Sequence, residues 1–128
     1  MQDSHLFEYA ILRIVPRVER EEFINVGVIL YCKKHAFLET KFTVTADRLL
    51  ALCPQASVGE ITSHLQALEQ ISMGNLQAGP IAALDPASRF RWLTAKRSTV
   101  VQTSAVHPGL CKDPLETLIH LHDQLVLC

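Results

Sequence analysis

The sequence predicts an α+β domain: a mostly antiparallel sheet of about four strands with helices packed on one face, in the order β-β-β-α-α-α-β-α. Three observations carry this prediction. Segments rich in β-formers crowd into the first third of the chain, joined by links too short for a crossover helix. Four helix starts follow, each announced by a capping residue. No strand–helix–strand alternation occurs, which removes the parallel-sheet architectures.

The first strand is expected over Glu8–Pro16, "EYAILRIVP", and Pro16 ends it because proline donates no ladder hydrogen bond. The second runs over Phe23–Cys32, "FINVGVILYC", and "KKH" at Lys33–His35 turns the chain into a third strand, Ala36–Val44. Thr45 caps "ADRLLALC", which Pro54 stops. Ser57 and Glu60 form a capping box before Ile61, Leu65, Leu68 and Ile71 at helical spacing, and Gly74 with Asn75 ends that helix. Asn75–Leu84 reads as a connector. Asp85–Pro86 is a cap and a first-turn proline opening "PASRFRWLTA". Ser98–Val106 reads as a fourth strand, and Asp113, Pro114 and Glu116 start a last helix. Its apolar stripe (Leu115, Leu118, Ile119, Leu125, Val126) permits dimerisation without requiring it.

With 128 residues, 48% of them hydrophobic, the chain suits one domain, 1–128, that buries a core without disulfides or metal. It has no apolar run of roughly eighteen residues, so no membrane span is expected. The segment "MQDSHLFEYA" lacks the basic and apolar regions of a secretory signal. A formal net charge of -1 argues against nucleic acid as a partner. Cys32, Cys53, Cys111 and Cys128 are scattered, which fits free thiols in a reducing cytoplasm.

Strand faces point to a candidate site, because successive side chains alternate sides. Ile24, Val26, Val28, Leu30 and Cys32 make one apolar face of the second strand, while Phe23, Asn25, Gly27, Ile29 and Tyr31 share the other. In the first strand Ala10, Leu12 and Ile14 oppose Tyr9, Ile11, Arg13 and Val15. If no bulge intervenes, Arg13, Asn25 and Gly27 lie together, with the gap at Gly27 open to a ligand and donors from Arg13 and Asn25 beside it. The plainer reading is a β-bulge at Asn-Val-Gly, with Asn25 satisfying stray backbone groups.

Two basic stretches flank this region in the reading. "RVEREE" supplies Arg17 and Arg20 with Glu19, Glu21 and Glu22, either as an anion site with a carboxylate base or, more plainly, as a solvated turn. "SRFRWLTAKRST" supplies Arg89, Arg91 and Arg97 with Lys96 and Ser98, residue types that bind phosphate, while Phe90 and Trp92 offer stacking or core anchors. The candidate ligand-binding set is therefore Arg13, Arg17, Arg20, Asn25, Gly27, Arg89, Arg91, Arg97 and Ser98. No catalytic residue, cofactor or metal is assigned. His120 and Asp123 are too few for a zinc site, and His120 and His122 point to different helix faces. Neither a phosphate-binding glycine loop nor a nucleophile elbow is present.

Two stretches, "YAILRIVPRVEREEFINVGVILYC" and "FRWLTAKRSTVVQTSAVHPGL", resemble the bacterial domain-of-unknown-function family 3037. The first is the more specific, and the likeness spans nearly the whole chain. The resemblance implies a small cytoplasmic bacterial protein without an agreed activity, so no catalytic residue carries over. It also implies a gene neighbourhood shared with a HipA-like kinase, a relative of protein serine/threonine kinases, and hence an accessory or regulatory role beside a protein partner.

The first functional expectation is a binding module that docks such a partner through the polar sheet face and the basic "RFRWLTAKR" segment. The alternative is a small enzyme or binding protein for an anionic small molecule or nucleotide, with Arg13, Arg20, Arg89 and Arg97 holding the charge and Glu21 or Glu22 as base. Nucleic-acid binding is the weaker alternative. Geometry separates the first two: arginines converging with Asn25 in one pocket favour the ligand, and scattered arginines count against it.

Overall fold

The computed structural model describes residues 4–127. Cys128, one of the expected thiols, lies outside the described residues. The chain forms β1 (His5–Ile14), β2 (Ile24–Cys32), β3 (Phe37–Phe42), α1 (Ala46–Leu52), α2 (Val58–Ser72), α3 (Pro86–Leu93), β4 (Val101–Thr103), β5 (His107–Cys111) and α4 (Pro114–His122). A π-helical turn, Asp123–Leu127, continues α4. The class is α+β, and every strand pair is antiparallel. β1 is central: β2 and then β3 lie on one side, while β4 and β5 share its other side end to end.

The expected fourth strand, Ser98–Val106, is reduced to β4, and β5 follows it as a strand that the sequence did not announce. β4 pairs with the C-terminal half of β1 and β5 with its N-terminal half, which is also why β1 begins at His5 rather than Glu8. Pro108 and Gly109 conceal β5 in the sequence, since both read as strand breakers. The proline is tolerated on an edge strand, and the glycine has a steric reason: a Cβ at Gly109 would sit 2.5 Å from the Phe7 ring directly opposite. Between the two strands Ser104 replaces the missing ladder. Its amide donates to Ile11 O at 2.9 Å, and its hydroxyl accepts from Ile11 N at 2.8 Å. Ser104→Ala leaves the half-buried Ile11 amide without that partner, and equilibrium unfolding should show a loss of about 1 kcal/mol.

The helix caps follow the sequence with one exception. Ser57 accepts from Glu60 N, Asp85 from Ser88 N, and Asp113 from Leu115 N and Glu116 N. Thr45 occupies the cap position of α1 without a side-chain hydrogen bond.

Helices cover both faces of the sheet, a departure from the one-face expectation. Leu12, Ile14, Ile29 and Tyr31 pack with Leu49 of α1, Leu65 of α2 and Phe90 of α3 in one core. Phe7, Val28, Leu30 and Cys32 pack with Leu118 of α4 in a second core on the opposite side. The first strand's alternation foretold a single buried face. The second face is covered because β2 is apolar on both sides.

The register explains how β2 serves two cores. Leu12 pairs with Gly27 but Arg13 pairs with Asn25, so Val26 is an extra residue opposite β1. Val26 belongs to the first core with Ile29 and Tyr31, whereas Val28, Leu30 and Cys32 belong to the second. An odd step from Val26 to Ile29 on one face is possible only across a bulge.

Candidate functional site

The bulge separates residues that simple alternation had joined. Gly27, opposite Leu12, lies toward the α1–α3 core, where a Cβ would meet Lys41 O and Phe42 Cβ at 2.8 Å. The gap is filled by the neighbouring strand, so Gly27 is no opening for a ligand. Asn25 lies on the α4 side: its Nδ2 donates to Leu125 O at 3.3 Å, while its Oδ1 is buried without a protein partner.

Arg13 stays beside Asn25, because the two are directly paired. On the other flank Arg13 pairs with Gln102 of β4. Directly opposed residues in antiparallel neighbours share a face, so Asn25, Arg13 and Gln102 form a polar row across the sheet. The Arg13 guanidinium stacks 4.1 Å from the centre of the Phe23 ring, and its Nε is buried without a protein partner. Beside it opens a hollow of about 420 Å³ lined by Arg13, Phe23, Glu19, Glu21, Arg97, Ser98 and Gln102. Gln102 and the exposed ring of Phe23 were not singled out from the sequence. Gln102 sits in a strand too short to show a face pattern, and Phe23 precedes a strand in which it reads as an ordinary apolar residue.

The other arginines do not converge there. Arg17 pairs with Glu19 at 3.2 Å and Arg20 with Glu22 at 2.7 Å, all of them solvent-exposed, as the plainer reading of "RVEREE" had it. Its own backbone amide and then Arg17 hold the Glu19 carboxyl below the usual carboxylate range; a hydrogen bond from Arg20 does the same for Glu22. Such exposed pairs add little stability and are screened by salt. Arg89 donates to Leu84 O at 2.6 Å and Ser72 O at 3.4 Å, tying α3 to the end of α2. Arg91 lines a separate groove of about 810 Å³ with Leu6, Tyr31, Lys33 and Lys34.

Arg97 serves the fold and the hollow together. It donates to Leu93 O and Trp92 O, closing the C-terminus of α3, and stacks 4.6 Å from the Trp92 ring. Phe90 and Leu93 are buried core anchors, while Trp92 is partly exposed. The candidate set thus divides into Arg13, Arg97 and Ser98 around one hollow, Asn25 and Arg89 in backbone-anchoring roles, Gly27 in the sheet, and Arg17, Arg20 and Arg91 elsewhere on the surface.

His122, rather than His120, is the histidine the fold uses. It is buried, with Nε2 2.9 Å from Thr43 Oγ1 and Nδ1 3.3 Å from Asp123 Oδ1. A carboxylate only accepts, so Nδ1 faces Asp123 as a donor, and the threonine hydroxyl, which both donates and accepts, can pair with Nε2. Among the described residues no group of three or more His, Cys, Asp or Glu side chains could hold a metal ion, and no helix is long and apolar enough to cross a membrane.

A sheet carrying helices on both faces, with a mixed-charge hollow beside Arg13, defines a small α+β domain. The family model described as "Protein of unknown function (DUF3037)" matches residues 9–126, and the chain belongs to that family. No curated protein and no solved structure matches it.

Proposed function

We propose that this domain is an accessory or regulatory binding module, working in the cytoplasm, that docks a protein partner at the hollow beside Arg13. One observation supports this reading above the rest. Arg13 of the sheet and the Arg97–Ser98 turn of the basic segment, far apart in sequence, line the same hollow beneath the half-exposed Phe23. Arginines and an exposed aromatic ring are the side chains that most often anchor protein interfaces. Glu19 and Glu21 share the hollow with the two arginines, so its charges balance. That favours a partner surface bearing both signs over a compact anion, and it is why the anionic-ligand reading ranks second. A HipA-like kinase is the first partner to test, since the family resemblance supplies that association.

Size-exclusion chromatography and calorimetry of the domain with that kinase test the proposal. A complex is expected, weakened about tenfold or more by Phe23→Ala and by Arg13→Ala, a loss of roughly 1.4 kcal/mol each. Arg91→Ala, on the separate groove, should leave it unchanged. Absence of a complex removes the kinase as partner. Equal effects from all the variants move the contact away from the hollow.

A further inference from the structure

Another cavity, of about 670 Å³, lies between the β1–β2 loop, the start of α2 and the residues entering β4. Its volume falls in the range of small-molecule sites, roughly 300–1,000 Å³. Pro16, Ile61 and Val101 give it apolar wall. Arg17 reaches it from the loop, and Glu60 and His64, one turn apart on α2, from the helix. Arg17's pairing is with the exposed Glu19, a contact weak enough to exchange for a ligand. The Glu60 side chain makes no ion pair among the described residues.

An apolar wall flanked by a guanidinium and an unpaired carboxylate matches a molecule with an apolar body and both charges. We infer that this cavity binds a small apolar zwitterion, an aliphatic amino acid or dipeptide, with its carboxylate on Arg17, its ammonium on Glu60 and its side chains against Ile61 and Val101. The site touches the docking hollow only through the Arg17–Glu19 contact, and neither reading requires the other.

Cys53 lines the same cavity and is half-buried, whereas Cys32 and Cys111 are buried. It is a built-in reporter once Cys128 is replaced by serine. In that Cys128→Ser background the iodoacetamide alkylation rate of Cys53 is measured with leucyl-leucine, N-acetyl-leucyl-leucine or leucyl-leucinamide at millimolar concentration. Leucyl-leucine is expected to slow alkylation saturably, and each singly charged probe to act about tenfold more weakly. Arg17→Ala should abolish the advantage of the dipeptide over leucyl-leucinamide, and Glu60→Gln its advantage over N-acetyl-leucyl-leucine. Both substitutions lie at exposed positions, and thermal melts check that the fold is kept. No protection by the dipeptide overturns the inference. So does protection by either singly charged probe equal to that by the dipeptide, or protection unchanged in both variants.

Discussion

Gly27→Val is expected to destabilise the domain by about 3 kcal/mol or more, enough to leave much of a marginally stable chain unfolded. The cause is the placement of Gly27 in β2, with β1 on one side and β3 on the other. Even a single Cβ would lie 2.8 Å from both Lys41 O and Phe42 Cβ and 3.2 Å from Leu12 Cδ1. Leu12 can rotate, but the β3 atoms are fixed by the ladder, in which Gly27 pairs with Phe42 and Thr43 N donates to Val26 O at 2.7 Å. Relief would have to come from parting β2 and β3 beside Gly27. Gly27→Ala should show a smaller form of the same loss. Gly59→Ala is the control: nothing lies within 4 Å of its Cβ, and on α2 it should be neutral or stabilising by up to about 0.5 kcal/mol. Urea unfolding reads all of these. A Gly27→Val midpoint matching the parent chain would show that the spacing of β2 and β3 is not fixed.

The order of the elements was legible because each carries a local signal. Ser57, Asp85 and Asp113 cap the helices they were expected to cap, and the alternation in β1 marks its buried side. What stayed hidden depends on contacts between distant segments. β5 is a strand because His107–Cys111 pairs with His5–Tyr9, and its Pro108 and Gly109 carry no strand propensity of their own. The second helical layer was missed for a related reason: once a bulge resets the alternation, an apolar β2 faces two cores, and period-two reading assigns half its residues to the wrong side. The candidate site suffered from the same slip. Arg13 and Asn25 kept their neighbourhood because they pair directly, and Gly27 lost it because it lies beyond the inserted Val26. Nor do arginines grouped in sequence stay together on a helix. Arg89, Arg91 and Arg97 follow α3 and its end, and so reach the end of α2, the Lys33–Lys34 groove and the Arg13 hollow respectively.

His122→Ala carries the second large expectation, a loss of about 3 kcal/mol focused on α4. That helix alone covers the second face, against a core of fewer buried residues than the first. Polar contacts supplement its packing at the C-terminal end. His122 joins Thr43 after β3, Asn25 Nδ2 donates to Leu125 O, and Arg48 Nη1 donates to Val126 O at 2.9 Å. A π-helical turn leaves carbonyls out of the α-helical pattern, and these side chains from β2 and α1 are placed to satisfy two of them. Alanine at position 122 removes a buried ring together with its bond to Thr43, leaving a cavity under the last turn. His122→Phe keeps most of the volume and loses only the polar contacts, so it should cost less, about 1–2 kcal/mol. Hydrogen exchange separates a local from a global effect. In His122→Ala the amides of α4 should exchange faster at low denaturant while those of α2 keep their protection, because the two helices pack on opposite faces of the sheet. Parent-like protection of α4 would mean that Leu118 and its apolar neighbours hold the helix by themselves. Asn25 bears on the same question, since the residue first read as a ligand donor is bonded to the backbone of the turn that His122 begins to anchor.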